Sequence, residues 1–279
     1  MTLIFGFILK EDIKFFLYKF NSSLNLFLIS IKQNPNVKCL PEIIDTIPNN
    51  SAIIVGHAYG SPEGKNNDVV VKFKNFYKNN RNNIKIIIFS GDVIREPSTK
   101  KWEKFYSFFD KDTKIFIAPG NHDLKSFSSE EDYSFYQINH RNQKNFKFPF
   151  FFEWENNYFL IEDSNKYYKD LDTYNKLPIK SNSYQNVFVI RHHVLPRSLK
   201  FASNNKKVLG LTKNMLKKID KANKNIYFIY GDGGAYDFLP RIACINLNGI
   251  KHLVNGLGDL KGDTILVINE GKIFRKILN

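Results

Sequence analysis

Five short stretches of this 279-residue chain place metal- or proton-handling side chains directly after an apolar run. "FIAPGNHDLK" (116–125) climbs to a Pro-Gly corner and then sets Asn121, His122 and Asp123 in a row. Asp92 follows "IKIIIFSG" (84–91), and His57 and Tyr59 follow "AIIVG" (52–56). His192 and His193 end "NVFVIRHH" (186–193), and Asp232 follows "NIYFIYG" (225–231). Imidazole nitrogens, carboxylates and amide oxygens are donors that hold divalent cations, so the chemistry on offer is metal-assisted hydrolysis. The plain alternative is structural, since a single His or Asp after a strand caps or closes a turn. Five such sets at one kind of position are harder to assign to turns alone.

The runs themselves must position these groups. Each is short and rich in Ile, Val and Phe, as a buried strand is. Helix-like stretches such as "STKKWEKFYSFF" (98–109) fall between several of them, and strand-then-helix repetition predicts an α/β sandwich. In open α/β sheets ligands sit beyond the carboxyl edge of the strands, so the five loops aim at one rim. "FKFPFFFEWE" (146–155) reads as core or sheet edge, with a stacking surface for sugars or bases as the alternative. His140 and His252 have no motif around them and read as surface or packing residues.

An apolar fraction of 43% supports a substantial core. The net charge of +14 suggests an anionic partner. Its basic residues are scattered, however, and joint abundance of Lys, Asn, Ile and Phe is the bias of an A/T-rich genome. Specific nucleic-acid binding is therefore not expected, while weaker attraction to acidic polymers or anionic lipid stays open. Cys39 and Cys244 make neither a disulfide framework nor a Cys-rich zinc site, which fits a reducing, cytoplasmic setting. The apolar run from Thr2 to Leu9 is too short to span a bilayer and lacks signal-peptide flanks, so it reads as part of the fold, a shortened or unusual signal segment being the alternative. Apolar spacing at 13, 16, 17 and 20 predicts a helix, and 24–31 a strand or the end of that helix. Pro35, Pro41 and Pro48 mark 34–50 as a linker. The expected organisation is an extension over 1–50 and a single domain over 51–279.

Three motifs, "SGD" (90–92), "GNHD" (120–123) and "VIRHHVLP" (189–196), come in an order and spacing that resembles the calcineurin-like metallophosphoesterase superfamily. The resemblance runs over roughly 51–275. It includes "NYFLIEDSNK" (157–166), like the strand that family places after its insert, and "VNGLGD" and "DTILVINEGKIFRKI", like its last strands. It implies a four-layer α-β-β-α sandwich of two mixed sheets flanked by helices, and hydrolysis of a phosphate ester. It further implies roles. Asp92 would bridge two cations, and Asn121 and His192 would ligate the second. His122 would protonate the leaving group, with Asp123 orienting it. His193 is the alternative to His192 as ligand of the second cation, and would otherwise face the core or the substrate. Arg95 is a candidate phosphate contact, with a solvent-facing helix start as the alternative. Two cations about 4 Å apart neutralise the phosphoryl oxygens and activate a water between them.

Two motifs depart from that pattern. Where the family has Asp-x-His-Gly, this chain has "GHAYG", so His57 stands for the aspartate and Tyr59 for the histidine. Where the family closes with Gly-His-x-His, this chain has "GDGGA", with Asp232 and Gly234 at the histidine positions. The second cation would keep Asp92, Asn121, His192 and Asp232, an oxygen-rich set suited to Mn²⁺ or Fe²⁺ rather than Zn²⁺. The first would keep Asp92 and whatever His57 and Tyr59 supply, and a neutral phenol is a poor ligand for a divalent ion. One tight cation is therefore expected. Three readings stay open: a two-cation hydrolase, a one-cation hydrolase using Tyr59 or His57 on the substrate, and a domain that binds without turnover.

Overall fold

Two six-stranded mixed sheets are laid face to face, and period-two alternation along their strands divides the apolar residues between two cores. The computed structural model describes residues 39–61, 66–124, 148–165, 184–194, 225–235, 241–247, 249–259 and 261–278, with short pieces at 207–208 and 211–212 and single positions 17, 20 and 64. The first sheet comprises β1 (Glu42–Ile43), β2 (Ser51–Val55), β3 (Ile84–Phe89), β4 (Lys114–Ile117), β13 (Thr264–Asn269) and β14 (Lys272–Ile277), in the order β1-β14-β13-β2-β3-β4. The second comprises β5 (Phe150–Trp154), β6 (Asn157–Ile161), β7 (Asn186–Arg191), β10 (Asn225–Tyr230), β11 (Ile242–Leu247) and β12 (Ile250–Asn255), in the order β11-β12-β10-β7-β6-β5. A small ladder joins β8 (Lys207–Val208) to β9 (Leu211–Thr212). Within the sheets β2, β3 and β4 are mutually parallel, as are β6, β7, β10 and β12, so the carboxyl ends in each set open at one edge.

Ala52, Ile54, Ile86, Ile88, Phe116, Leu266 and Ile268 point between the sheets. Their neighbours Ile53, Val55, Ile87, Phe89, Ile115 and Val267 point outward to helices α1 (Val71–Asn80) and α2 (Thr99–Phe108). Helix α2 buries Trp102, Phe105 and Tyr106, a helical spacing that forms one apolar stripe, and its first turn is capped by the Ser98 hydroxyl accepting from the Lys101 amide. Across the inner face of the second sheet runs an aromatic ladder in register: Phe152, Phe159, Phe188 and Tyr227, with centroids 4.7, 5.0 and 5.0 Å apart. Phe116 of the first sheet stacks on Phe152 of the second at 3.9 Å, locking the sheets together. Stacked pairs of this kind add about 0.5–1.5 kcal/mol each beyond their buried area. The described part of the aromatic stretch, from residue 148 on, is thus edge strand and core. Among its described aromatic side chains only Phe151 is exposed.

The architecture is the α/β sandwich expected. The described helices lie on the first sheet; the outer face of the second is also buried, at Val187, Val189 and Phe228, and no described helix covers it. No helix among the described residues is long and apolar enough to cross a membrane. The reading of 24–31 and His140 lie outside the described residues, as does nearly all of the expected helix over 11–20.

Two expectations are corrected. The described part of the proline-punctuated segment is not a free linker: β1 pairs in parallel with β14, and Ile47 enters the outer core. Cys39 and Cys244 form a disulfide, with Cα atoms 5.7 Å apart and 205 residues between them in sequence. It ties the segment leading into β1, at one edge of the first sheet, to β11, the edge strand of the second. A bond that closes so long a loop removes much freedom from the unfolded chain. Reduction should therefore lower unfolding stability by about 2–5 kcal/mol, read from denaturant curves with and without reductant. Thiol titration of unreduced, unfolded protein should find no free cysteine, and two titratable thiols would contradict the bond.

His252 is a packing residue, as expected. Its ring packs against those of both Phe228 and Tyr230, and its Nδ1 is 2.8 Å from the Tyr230 hydroxyl. Burial pushes its pKa from the ordinary 6.5 down to about 3. The unfolded chain then takes up this proton at a pH where the folded chain refuses it, so stability present above about 6.5 drains away as pH falls toward 3. Between pH 7 and pH 5 this one group should remove about 2 kcal/mol. His252→Leu should flatten the pH dependence by that amount, whatever it does to stability at neutral pH. An unchanged slope would show that the ring is not held neutral.

Candidate metal centre and active site

The sharp turns at the carboxyl edge begin with strained backbone. After β2 the chain turns through His57 at φ 44°, and after β3 through Gly91 at φ 93° and Asp92 at φ 54°. Such conformations cost non-glycine residues free energy of order 1 kcal/mol or more, and they collect where a site must aim a side chain. Cross-loop bonds hold them: the Tyr59 amide donates to the Asp92 carbonyl at 3.1 Å, and the Gly60 amide to the His57 carbonyl at 3.0 Å. Glycine is required at 91, because a Cβ there would stand 2.5 Å from the His192 ring.

The Asp92 carboxylate lies at the centre. Its Oδ1 accepts from the His122 amide at 3.1 Å and lies 3.4 Å from His192 Nε2, while Oδ2 lies 3.3 Å from His57 Nε2. Burial works against ionising this group, but His192 and His57 hold its carboxyl well below the usual range. His192 Nε2 also lies 3.6 Å from Asp232 Oδ1. The other ring nitrogen of His192, Nδ1, is 3.1 Å from the Ser90 carbonyl. A carbonyl only accepts, so Nδ1 carries the proton and a neutral ring would turn the bare lone pair of Nε2 toward two carboxylates. That arrangement is repulsive unless positive charge sits there. Burial opposes protonation of His192, yet Asp92 and Asp232 override it and push the imidazole up to about 9.

A cation meets the same need. Two donors each about 2.1 Å from one ion at tetrahedral angles lie about 3.4 Å apart, and the spacings here are 3.4 and 3.6 Å. Among the described residues no group of three or more His, Cys, Asp or Glu side chains is placed so that it could by itself hold a metal ion. The nearest donors meet pairwise: His192 Nε2 faces both Asp92 and Asp232, with Asn121 on the adjoining loop. The set does not extend to a second ion. Burial and then the Asp92 charge drive the Tyr59 phenol far above its ordinary pKa, so it is un-ionised in the metal-free protein. Gly234 has φ 73°, and a Cβ there would meet the backbone of Leu257 and Gly258 at 3.0 Å, so no larger side chain is accommodated without movement.

The remaining candidates join the same network in ways the sequence did not foretell. Asp123 does not take the His122 ring; its carboxylate accepts from the amides of Val93 (2.8 Å), Ile94 (3.0 Å) and Gly120 (2.9 Å), pinning two loops together. Burial, and then Asp92, push this carboxyl up to about 7 against the pull of those three N–H groups. His122 Nδ1 lies 3.3 Å from the Arg95 carbonyl instead. His193 is buried against the site: Nε2 lies 3.2 Å from Asn121 Oδ1 and Nδ1 3.0 Å from the Ser164 hydroxyl, which also accepts the His193 amide. Asn121 Oδ1 keeps a second lone pair in this arrangement. Arg95 lies over the Tyr59 ring at 5.1 Å, and Tyr59 meets His122 edge-on at 5.4 Å.

Sequence reasoning missed the supports. Ser90 sets the His192 tautomer. Asn165 donates to the carbonyls of Pro119 and Gly120 at 3.1 and 3.3 Å, holding the Pro-Gly corner. Buried Arg191 pairs with Glu162 at 3.1 Å and donates to the His193 carbonyl at 2.9 Å. The available signal was position: "EDSN" (162–165) directly follows β6 at the same sheet edge as the histidines.

No curated protein matches the chain significantly. The family model of the calcineurin-like phosphoesterases matches residues 57–256, a span that encloses every site residue from His57 to Asp232. With that match over most of its length, the chain belongs to the calcineurin-like phosphoesterase family.

Proposed function

We propose that the protein hydrolyses a phosphate ester with one divalent cation, held by Asp92, Asn121, His192 and Asp232. The observation that carries this reading is His192: its tautomer is set by the Ser90 carbonyl, and its free nitrogen lies 3.4 and 3.6 Å from two carboxylates. Three oxygen donors to one nitrogen favour Mn²⁺ or Fe²⁺. When bound, such an ion polarises a phosphoryl oxygen and lowers the pKa of an adjacent water. His57 supports a single ion, because its Nε2 faces Asp92 Oδ2, the oxygen that would otherwise be free to bridge.

The chain's own groups supply the rest. With Nδ1 of His122 directed to the Arg95 carbonyl, Nε2 would be the nitrogen that exchanges a proton with the substrate. As the imidazolium it hands that proton to the leaving alkoxide. Asp123 acts through the backbone, keeping the Asp92 and His122 loops at fixed separation. The substrate is a phosphate ester. The disulfide favours an oxidising compartment over the cytoplasm first expected, since such bonds rarely persist in reducing cytosol.

Elemental analysis after dialysis against Mn²⁺ should find about one ion per chain. None, or two tightly held, would contradict the reading. Asp92→Asn tolerates the positive φ and should abolish the ion while the protein stays folded.

His122→Asn should slow esters with poor leaving groups by roughly 10²-fold or more and largely spare activated aryl esters. Equal loss on both would exclude proton donation by this ring, and a folded, metal-loaded wild type with no turnover on a broad ester panel would make the domain a binding module.

A further inference from the structure

Two buried hydrogen-bond donors beside the centre meet no acceptor among the described residues. Tyr59 is fully buried, and its hydroxyl has no hydrogen-bond partner among them. Arg95 Nε is likewise buried and unpaired among the described residues, although Nη2 of the same guanidinium donates to the Ser61 carbonyl at 2.8 Å. The two side chains are in contact, the guanidinium carbon lying 5.1 Å above the phenol ring. That ring in turn lies 4.8 Å from His57 and 5.4 Å from His122, so the orphaned donors border the residues of the proposed chemistry. A buried donor without an acceptor is a standing cost to folding, and native proteins retain few of them. Arginine cannot shed its charge, and an un-ionised phenol offers one proton, so both groups call for an oxygen-rich anion.

We propose that Tyr59 and Arg95 form a donor cradle for the non-bridging phosphoryl oxygens of the substrate, in the place where this chain lacks ligands for a second cation. The inference rests on the one-cation reading above and extends it: side-chain donors take over the charge-stabilising work that a second ion would do. The cradle is distinct from the cation set, since neither residue is among the donors around His192.

Tyr59→Phe keeps the ring and deletes only the hydroxyl; Arg95→Met removes the guanidinium and keeps the carbonyl that faces His122. Calorimetric titration of Mn²⁺-loaded protein with inorganic phosphate should show at least a roughly 10-fold weaker affinity in each variant. Bound Mn²⁺ should be unchanged in both. The phosphate-free melting temperature of Tyr59→Phe should equal or exceed that of the wild type, because an unpaired buried group has gone. Phosphate affinity unchanged in either variant overturns the cradle, as does a wild type that binds no phosphate. Loss of Mn²⁺ from Tyr59→Phe overturns it too, by making the phenol a ligand. A wild type that holds no Mn²⁺ counts against the one-cation reading instead; the same phosphate titrations on metal-free protein then decide the cradle on its own.

Discussion

A histidine that turns its free nitrogen toward two carboxylates in a dry interior must be matched by positive charge, and much of the carboxyl edge follows from that constraint. The Ser90 carbonyl removes the other tautomer of His192. The glycine at 91 lets the ring come close to the strand end, and the positive φ of Asp92 brings its carboxylate beside the ring. Such a cluster would fly apart on mobile loops. Here it is carried by the ends of parallel strands whose opposite faces are sealed in two apolar cores. Behind it, the Arg191–Glu162 pair fixes the His193 backbone; breaking a buried pair of this kind typically costs about 3–5 kcal/mol.

The altered motifs become coherent in this light. His57 replaces an aspartate yet still engages Asp92, as a donor to the oxygen that a second ion would use. Tyr59 and Gly234 stand at the positions that the resemblance assigns to histidines; the phenol is held un-ionised in the metal-free protein, and the glycine has a left-handed conformation with backbone close by. On the one-cation reading proposed above, the losses fall on one cation position and leave the donor set of the other in place.

Much of the fold was legible because its signals are local. Ile-, Val- and Phe-rich runs mark β2, β3, β4, β7 and β10, four of them ending at glycine and β7 at two histidines, and the period-two split between cores follows from alternation within each run. The disulfide was not legible, since 205 residues separate its cysteines and no local pattern links them. Pairing of β1 with β14 escaped for the same reason: two residues carry no periodicity, and prolines around them read as a linker. In the site, residue types were readable and partners were not. Asp123 looked like an orienting carboxylate and is a clamp on three amides; His193 looked like a core or substrate residue and bridges Asn121 to Ser164. Such choices depend on which loops the sheets bring together, and that lies in tertiary register rather than in any one motif.

The central claim is that the space shared by Asp92, His192 and Asp232 holds a single cation. Anomalous diffraction from crystals grown with Mn²⁺ addresses it most directly. The account predicts one anomalous peak, within about 2.1–2.3 Å of Asp92 Oδ1, His192 Nε2 and an Asp232 oxygen. Two peaks about 4 Å apart, or no peak among these three side chains, would contradict it.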